Sequence, residues 1–192
     1  MKEPTINELF DLSGKVALLT GASGWLGAAF AEALAEAGAS VIATSRDQRT
    51  AMEIAAKLPI TGGNAHHGVA LDQLDEQSVN AGFDAALAAA GQIDILVNNA
   101  AIVPHFQWGG PRWPSNKDMP SDFFWSVVGT NLGGTFLGSK HVTPYLEESG
   151  GGNIVNLYGG GAKSPAGALA YALSKEAIVH FTDYHAAEVE DS

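Results

Sequence analysis

Residues 15–38 read KVALLTGASGWLGAAFAEALAEAG: an apolar run ending on glycine, a turn built on Gly21, Gly24 and Gly27, and then a stretch patterned as a helix. No other feature restricts the fold as much. KVALLTG (15–21) is short and has no alternating polar face, so it predicts a strand buried on both sides, as in a parallel sheet. Downstream, Leu26, Phe30, Ala33, Leu34 and Ala37 share one helical face, and Gly38 stands where a C-terminal glycine cap belongs. SVIAT (40–44) is the next expected strand.

The alternation continues along the chain. A helix is expected near 47–58, a strand at HGVAL (67–71), and a helix from Asp75 that buries Val79, Phe83, Leu87 and Ala90 and closes at Gly91. IDILVNN (93–99) and NIVNL (153–157) read as further buried strands, separated by one long helix capped by Ser121; a last helix starts near Leu169. Strands alternating with helices predict an α/β fold, a three-layer doubly wound parallel sheet with right-handed crossovers. With 192 residues and no repeat or linker, the expectation is one domain over 1–192.

Composition narrows the function. A formal net charge of -11 disfavours nucleic acid and anionic membrane surfaces as partners, which leaves a small-molecule substrate. No apolar stretch reaches the roughly 20 residues of a membrane span, and MKEPTINELFDLSGK lacks the layout of a signal peptide, so a cytoplasmic location is expected. The absence of cysteine removes disulfides, thiol nucleophiles and thiolate metal sites; the six histidines show no i, i+4 pair, so no metal is expected.

The turn after the first strand carries the chemistry. Glycines between a strand end and a helix start let backbone N–H groups approach a pyrophosphate, and the helix N-terminus adds partial positive charge. Gly21, Ser23, Gly24, Trp25, Leu26 and Gly27 are therefore candidate dinucleotide contacts. At the end of the second strand stand Ser45 and Arg46, with no carboxylate to repel a phosphate; a planar guanidinium suits a 2′-phosphate, so NADP(H) is expected over NAD(H).

Several further motifs follow in order. Leu71 and Asp72 end the third strand, NNAA (98–101) ends the fourth, Asn131 lies in TNLGGTFL, and YALSK supplies Tyr171 and Lys175. In these the chain resembles the short-chain dehydrogenase/reductase family, a Rossmann-type fold. The resemblance implies an oxidoreductase interconverting a secondary alcohol and a ketone. It also implies that Asp72 contacts adenine, that Asn99, Ala100 and Ala101 lie beside the cofactor, and that Asn131 orders a water. Tyr171 would then exchange a proton, Lys175 would hold the ribose, and the last helices would pair in a homodimer or homotetramer. The pair also has its own physics: residues four apart share a helix face, so an ammonium can favour tyrosinate. Working near neutrality requires lowering tyrosine by about three pH units, roughly 4 kcal/mol.

Three departures stand out. Where the family has a serine that polarises the substrate oxygen, this chain reads NLYGGGAKSP, leaving Tyr158, Gly159 or the more distant Ser164. Tyr158 is the candidate substitute, and a catalytically weak dinucleotide-binding sensor or scaffold is the alternative. Trp25 replaces a glycine and makes the spacing G-x-x-G-x-x-G, as in the epimerase-bearing branch, so an epimerase or dehydratase is a third reading. Finally, the chain stops at AEVEDS, with Glu188, Glu190 and Asp191 at the negative end of a helix, which predicts missing C-terminal strands and a missing substrate lid. The segment 102–125 holds three of the four tryptophans and is expected to wall the site, while Gly129, Gly133, Gly134 and Gly138 predict close packing of the long helix.

Overall fold

Each apolar run forms a strand: β1 (Val16–Leu19), β2 (Ser40–Ser45), β3 (His67–Ala70), β4 (Ile95–Asn98) and β5 (Asn153–Asn156). The computed structural model describes residues 3, 5–103, 114–159 and 168–190. All four strand pairings are parallel, in the order β3-β2-β1-β4-β5. The chain moves outward from β1 to β3 and then crosses to β4, so its direction reverses between β1 and β4; a crevice opens there at the carboxyl ends of the strands.

A short α1 (Ile6–Leu9), not foreseen in the sequence, precedes the sheet. Then come α2 (Trp25–Glu36), α3 (Gln48–Ala55), α4 (Glu76–Ala90), α5 (Ser121–Val128), α6 (Gly134–Glu148) and α7 (Leu169–Glu190). Alternate strand residues feed two cores. Leu18, Ile42 and Leu96 pack with Val79, Phe83 and Val142 of α4 and α6. On the other face Leu19, Val41 and Val97 pack with Ala31, Ala35 and Ala55 of α2 and α3. Leu18 and Leu19 are fully buried, each stabilising the sheet by about 2 kcal/mol. These are the three layers expected.

The helix ends follow local chemistry. Gly38 takes φ +97 beyond α2, and Ala39 N–H reaches back to the Leu34 carbonyl, as the cap glycine predicted. Between β4 and β5 the structure differs from the single α-helix expected: α5 and α6 are joined by a π-helical turn, Gly129–Gly133. Ser121 is the first helical residue, and Pro120 takes the cap position with no side-chain cap bond, so the expected serine cap is not formed. Three of the four glycines pack as anticipated, since a Cβ on Gly138 would lie 2.6 Å from Asn98 Oδ1, one on Gly129 would lie 2.7 Å from Leu74 Cδ2, and one on Gly134 would overlap the Gln73 side chain; Gly133 faces open space. β5 forms an edge on which Val155 is 47% exposed. Among the described residues, no helix is long and apolar enough to cross a membrane.

Candidate active site

Two of the three turn glycines are demanded by the fold itself. Gly21 has φ +68 and lies against Ala100, whose Cα would be 2.8 Å from a Cβ. A Cβ on Gly27 would overlap the Gly21 carbonyl oxygen. Gly24 is different, because a Cβ there meets only the Gly21 carbonyl oxygen, at 3.4 Å. It stands at the N-cap of α2 with no side-chain cap and no acidic residue in the first turn, which leaves the positive end of the helix open to an anion. Ser23, Trp25 and Leu26 are exposed there, Trp25 to 81%.

The turn is clamped to the end of β4 by a residue that the sequence reading missed. Thr20, 1% exposed, accepts N–H bonds from Asn99 and Ala100, each at 3.0 Å, and donates to the Val97 carbonyl at 3.3 Å. Asn99 Nδ2 donates in return to the Thr20 and Gly21 carbonyls at 2.9 and 3.2 Å. The available signal was a hydroxyl residue inside an apolar run, immediately before the first glycine.

At the ends of β2 and β3, Ser45 is buried and Arg46 exposed; among the described residues Arg46 forms no ion pair. Asp47 does not neutralise it by a direct contact, because its carboxylate caps α3, accepting from Thr50 N–H at 2.8 Å and Thr50 Oγ1 at 2.7 Å. Leu71 is buried and donates to the Ser45 carbonyl at 2.8 Å. Asp72 Oδ1 accepts from Leu74 N–H at 3.0 Å, holding the turn that follows β3.

Tyr171 and Lys175 lie in the first turns of α7, beside the end of β5. Lys175 is 4% exposed, and its Nζ donates to the Leu157 carbonyl at 2.6 Å. Burial lowers its pKa to about 8. Burial also raises the Tyr171 phenol above its ordinary value, the opposite of the depression that neutral-pH chemistry calls for.

Asn131 is fully buried within the π-turn. Its Oδ1 accepts from Ile102 N–H at 2.7 Å, and its Nδ2 donates to the Ile102 carbonyl at 3.3 Å and to Ser174 Oγ at 2.9 Å. Ser174 Oγ in turn donates to the Tyr171 carbonyl at 2.8 Å. The side chain therefore ties the segment after Ala101 to the Tyr171 turn.

Tyr158 points elsewhere. It is 47% exposed and its hydroxyl donates to Glu176 at 3.2 Å, while Gly159 is the residue that faces the Tyr171 hydroxyl. Ser164 and the segment with Trp108 and Trp113 lie outside the described residues. Every described candidate except Tyr158 thus gathers at the carboxyl ends of β1–β5 or on the helix starts beside them.

The family model for short chain dehydrogenases matches residues 15–192. This chain belongs to the short-chain dehydrogenase family. It is 37% identical to D-threitol dehydrogenase of Mycolicibacterium smegmatis over 97% of this chain and 69% of that protein. Its fold superposes on a short-chain type dehydrogenase/reductase from Mycobacterium marinum with a TM-score of 0.85 at 33% identity, covering 98% of this chain and 74% of that one. It also superposes on NAD+-bound xylitol dehydrogenase, with a TM-score of 0.82 at 30% identity over 93% and 66% of the two chains. The chain thus spans about two thirds to three quarters of the length of these relatives. The family likeness agrees with the glycine turn and the NNAA segment, which stand at the β1/β4 reversal, and with the Tyr171 helix that follows β5.

Proposed function

We propose that this chain is an NADP(H)-dependent oxidoreductase that interconverts a secondary alcohol and a ketone, with Tyr171 as general acid and base. One observation carries the reading: the open α2 N-terminus, the Thr20–Asn99 clamp, Tyr171 and Lys175 converge on one carboxyl edge of a parallel sheet. The residues fit a dinucleotide. Gly24 leaves room for a phosphate against uncapped amides, and Arg46 offers an unpaired guanidinium where a 2′-phosphate needs one. That xylitol dehydrogenase binds NAD+ keeps NAD(H) as the competing cofactor.

When bound, the nicotinamide supplies a hydride donor or acceptor. Tyr171 gives its phenolic proton to the carbonyl oxygen in reduction and takes the hydroxyl proton in oxidation. Lys175, about nine-tenths protonated at pH 7 from its value of about 8, places positive charge beside the reacting end of α7. Asn131 and Ser174 hold the Tyr171 turn against the segment after β4. Among the described residues Gly159 brings no hydroxyl and the Tyr158 hydroxyl is engaged by Glu176, which leaves Ser164, outside the described residues, as the remaining candidate donor to the substrate oxygen. Loss of such a donor costs about 100- to 1000-fold in rate, so turnover is expected to be slow unless Ser164 supplies it.

The same gap favours a second reading, a sensor that binds cofactor without turning over. Calorimetric titration of NADPH and NADH separately, followed by a panel of alcohols and ketones, tests both. NADPH preference with turnover that falls by about 100-fold or more in Tyr171→Phe, at unchanged cofactor affinity, supports the enzyme. Tight binding with no turnover supports the sensor; no binding of either nucleotide removes both.

A further inference from the structure

We propose that Gln48 is a positioning residue for the cofactor: its side-chain amide bonds to the outer edge of β3 as a residue of a further parallel strand would, and thereby sets where Arg46 stands. This role rests on the proposed NADP(H) reading, in which Arg46 meets the 2′-phosphate.

β3 is one edge of the sheet. Its inner side faces β2, where Val69 lies opposite Thr44 and Leu71 N–H donates to the Ser45 carbonyl at 2.8 Å. Gly68 and Ala70 therefore turn their backbone groups outward, and Gln48 meets both. Its Nε2 donates to the Gly68 carbonyl at 2.8 Å, and its Oε1 accepts from Ala70 N–H at 2.7 Å. That is the bonding of a parallel ladder, in which one residue pairs with the carbonyl before and the N–H after the residue it faces. An N–H can only donate and a carbonyl only accept, so a single orientation of the amide serves both.

Gln48 opens α3, two residues beyond Arg46 and next to Asp47, whose carboxylate caps the same helix. α3 also lies close on β3, because a Cβ on Gly68 would overlap the backbone of Ala51 and Met52. Close packing of that kind has no preferred register along the strand, whereas two bonds of opposite polarity fix the helix start against it. Arg46 is exposed and forms no ion pair among the described residues, so its position follows from the backbone that Gln48 anchors.

Gln48→Met keeps the length of the side chain and removes both bonds. It is expected to weaken NADPH about 3- to 10-fold in calorimetry and to leave NADH within about 2-fold, a smaller effect than removing Arg46 because water competes for exposed bonds. Since Gln48 acts through Arg46, the same substitution should have little further effect on NADPH in the Arg46→Ala background. Hydrogen exchange reads the two bonds without nucleotide: the Ala70 amide should exchange faster in Gln48→Met, and the Leu71 amide, bonded to β2, should not. Unchanged NADPH affinity, equal weakening of NADPH and NADH, losses that add in the Arg46→Ala background, or unchanged Ala70 exchange each overturn the proposal. A wild type that binds NADH as well as NADPH overturns the NADP(H) reading and this role with it, a result told apart from the others because it appears before any substitution is made.

Discussion

Replacing Thr20 by valine tests whether the phosphate turn is held by one buried hydroxyl. The two side chains have nearly the same shape, so the packing at a position 1% exposed is preserved and the polar change is isolated. Three bonds are affected, unequally. Ala100 N–H loses its one described partner, at 3.0 Å, whereas Asn99 N–H keeps the Val97 carbonyl at 3.1 Å. The Val97 carbonyl keeps Thr20 N–H at 3.0 Å. The cost is thus dominated by one orphaned N–H, about 1–3 kcal/mol, in the lower half of that range because Ala100 is only half-buried. Adding a smaller loss for the shared bond gives about 2 kcal/mol. For a chain of this size that lowers Tm by about 4–8 °C. Thermal and urea unfolding of Thr20→Val, with Thr20→Ser as the hydroxyl-retaining control, measure it. A Tm within about 1 °C of wild type would refute the clamp, as would an equal loss in the serine control.

Two further predictions concern charge. Arg46→Ala should weaken NADPH about 10- to 100-fold in calorimetry and leave NADH unchanged, since a single charge-assisted contact is worth about 1.5–3 kcal/mol; equal effects on both nucleotides would dissociate Arg46 from the 2′-phosphate. Asp94 sets part of the acid limb of stability. Burial alone would raise its pKa, but Val16 N–H at 2.8 Å, Lys15 Nζ at 3.1 Å and Gln92 Nε2 at 2.8 Å more than offset that and hold it below the usual value. A carboxylate depressed in the folded state stabilises above its unfolded pKa of about 3.9 and loses that contribution as pH falls through the folded value. Asp94→Asn should therefore be less stable than wild type at neutral pH, with the gap closing below about pH 4; a gap independent of pH would show that this carboxylate's titration is not involved.

Features written in short stretches of sequence were legible. The apolar runs predicted β1 to β5 because strand formation answers to residues within a few positions, but burial was misread at β5, expected to be buried and found at the sheet edge with Asn153 and Val155 exposed. The same locality placed the α2 start, the glycine turn and the shared face of Tyr171 and Lys175. Contacts between distant segments were not legible. Nothing near Lys175 in the chain announces the Leu157 carbonyl, to which its ammonium donates, and nothing near Tyr171 announces the burial that raises its phenol. Tyr158 and Gly159 are neighbours in sequence, and only the path of the chain beyond β5 decides that the glycine meets the Tyr171 hydroxyl while the tyrosine turns to Glu176. Periodicity and turn chemistry are properties of adjacent residues and can be read one stretch at a time, whereas a hydrogen bond or a proton's affinity depends on which remote atoms burial brings within about 3 Å, and that is set when the sheet and its helices pack.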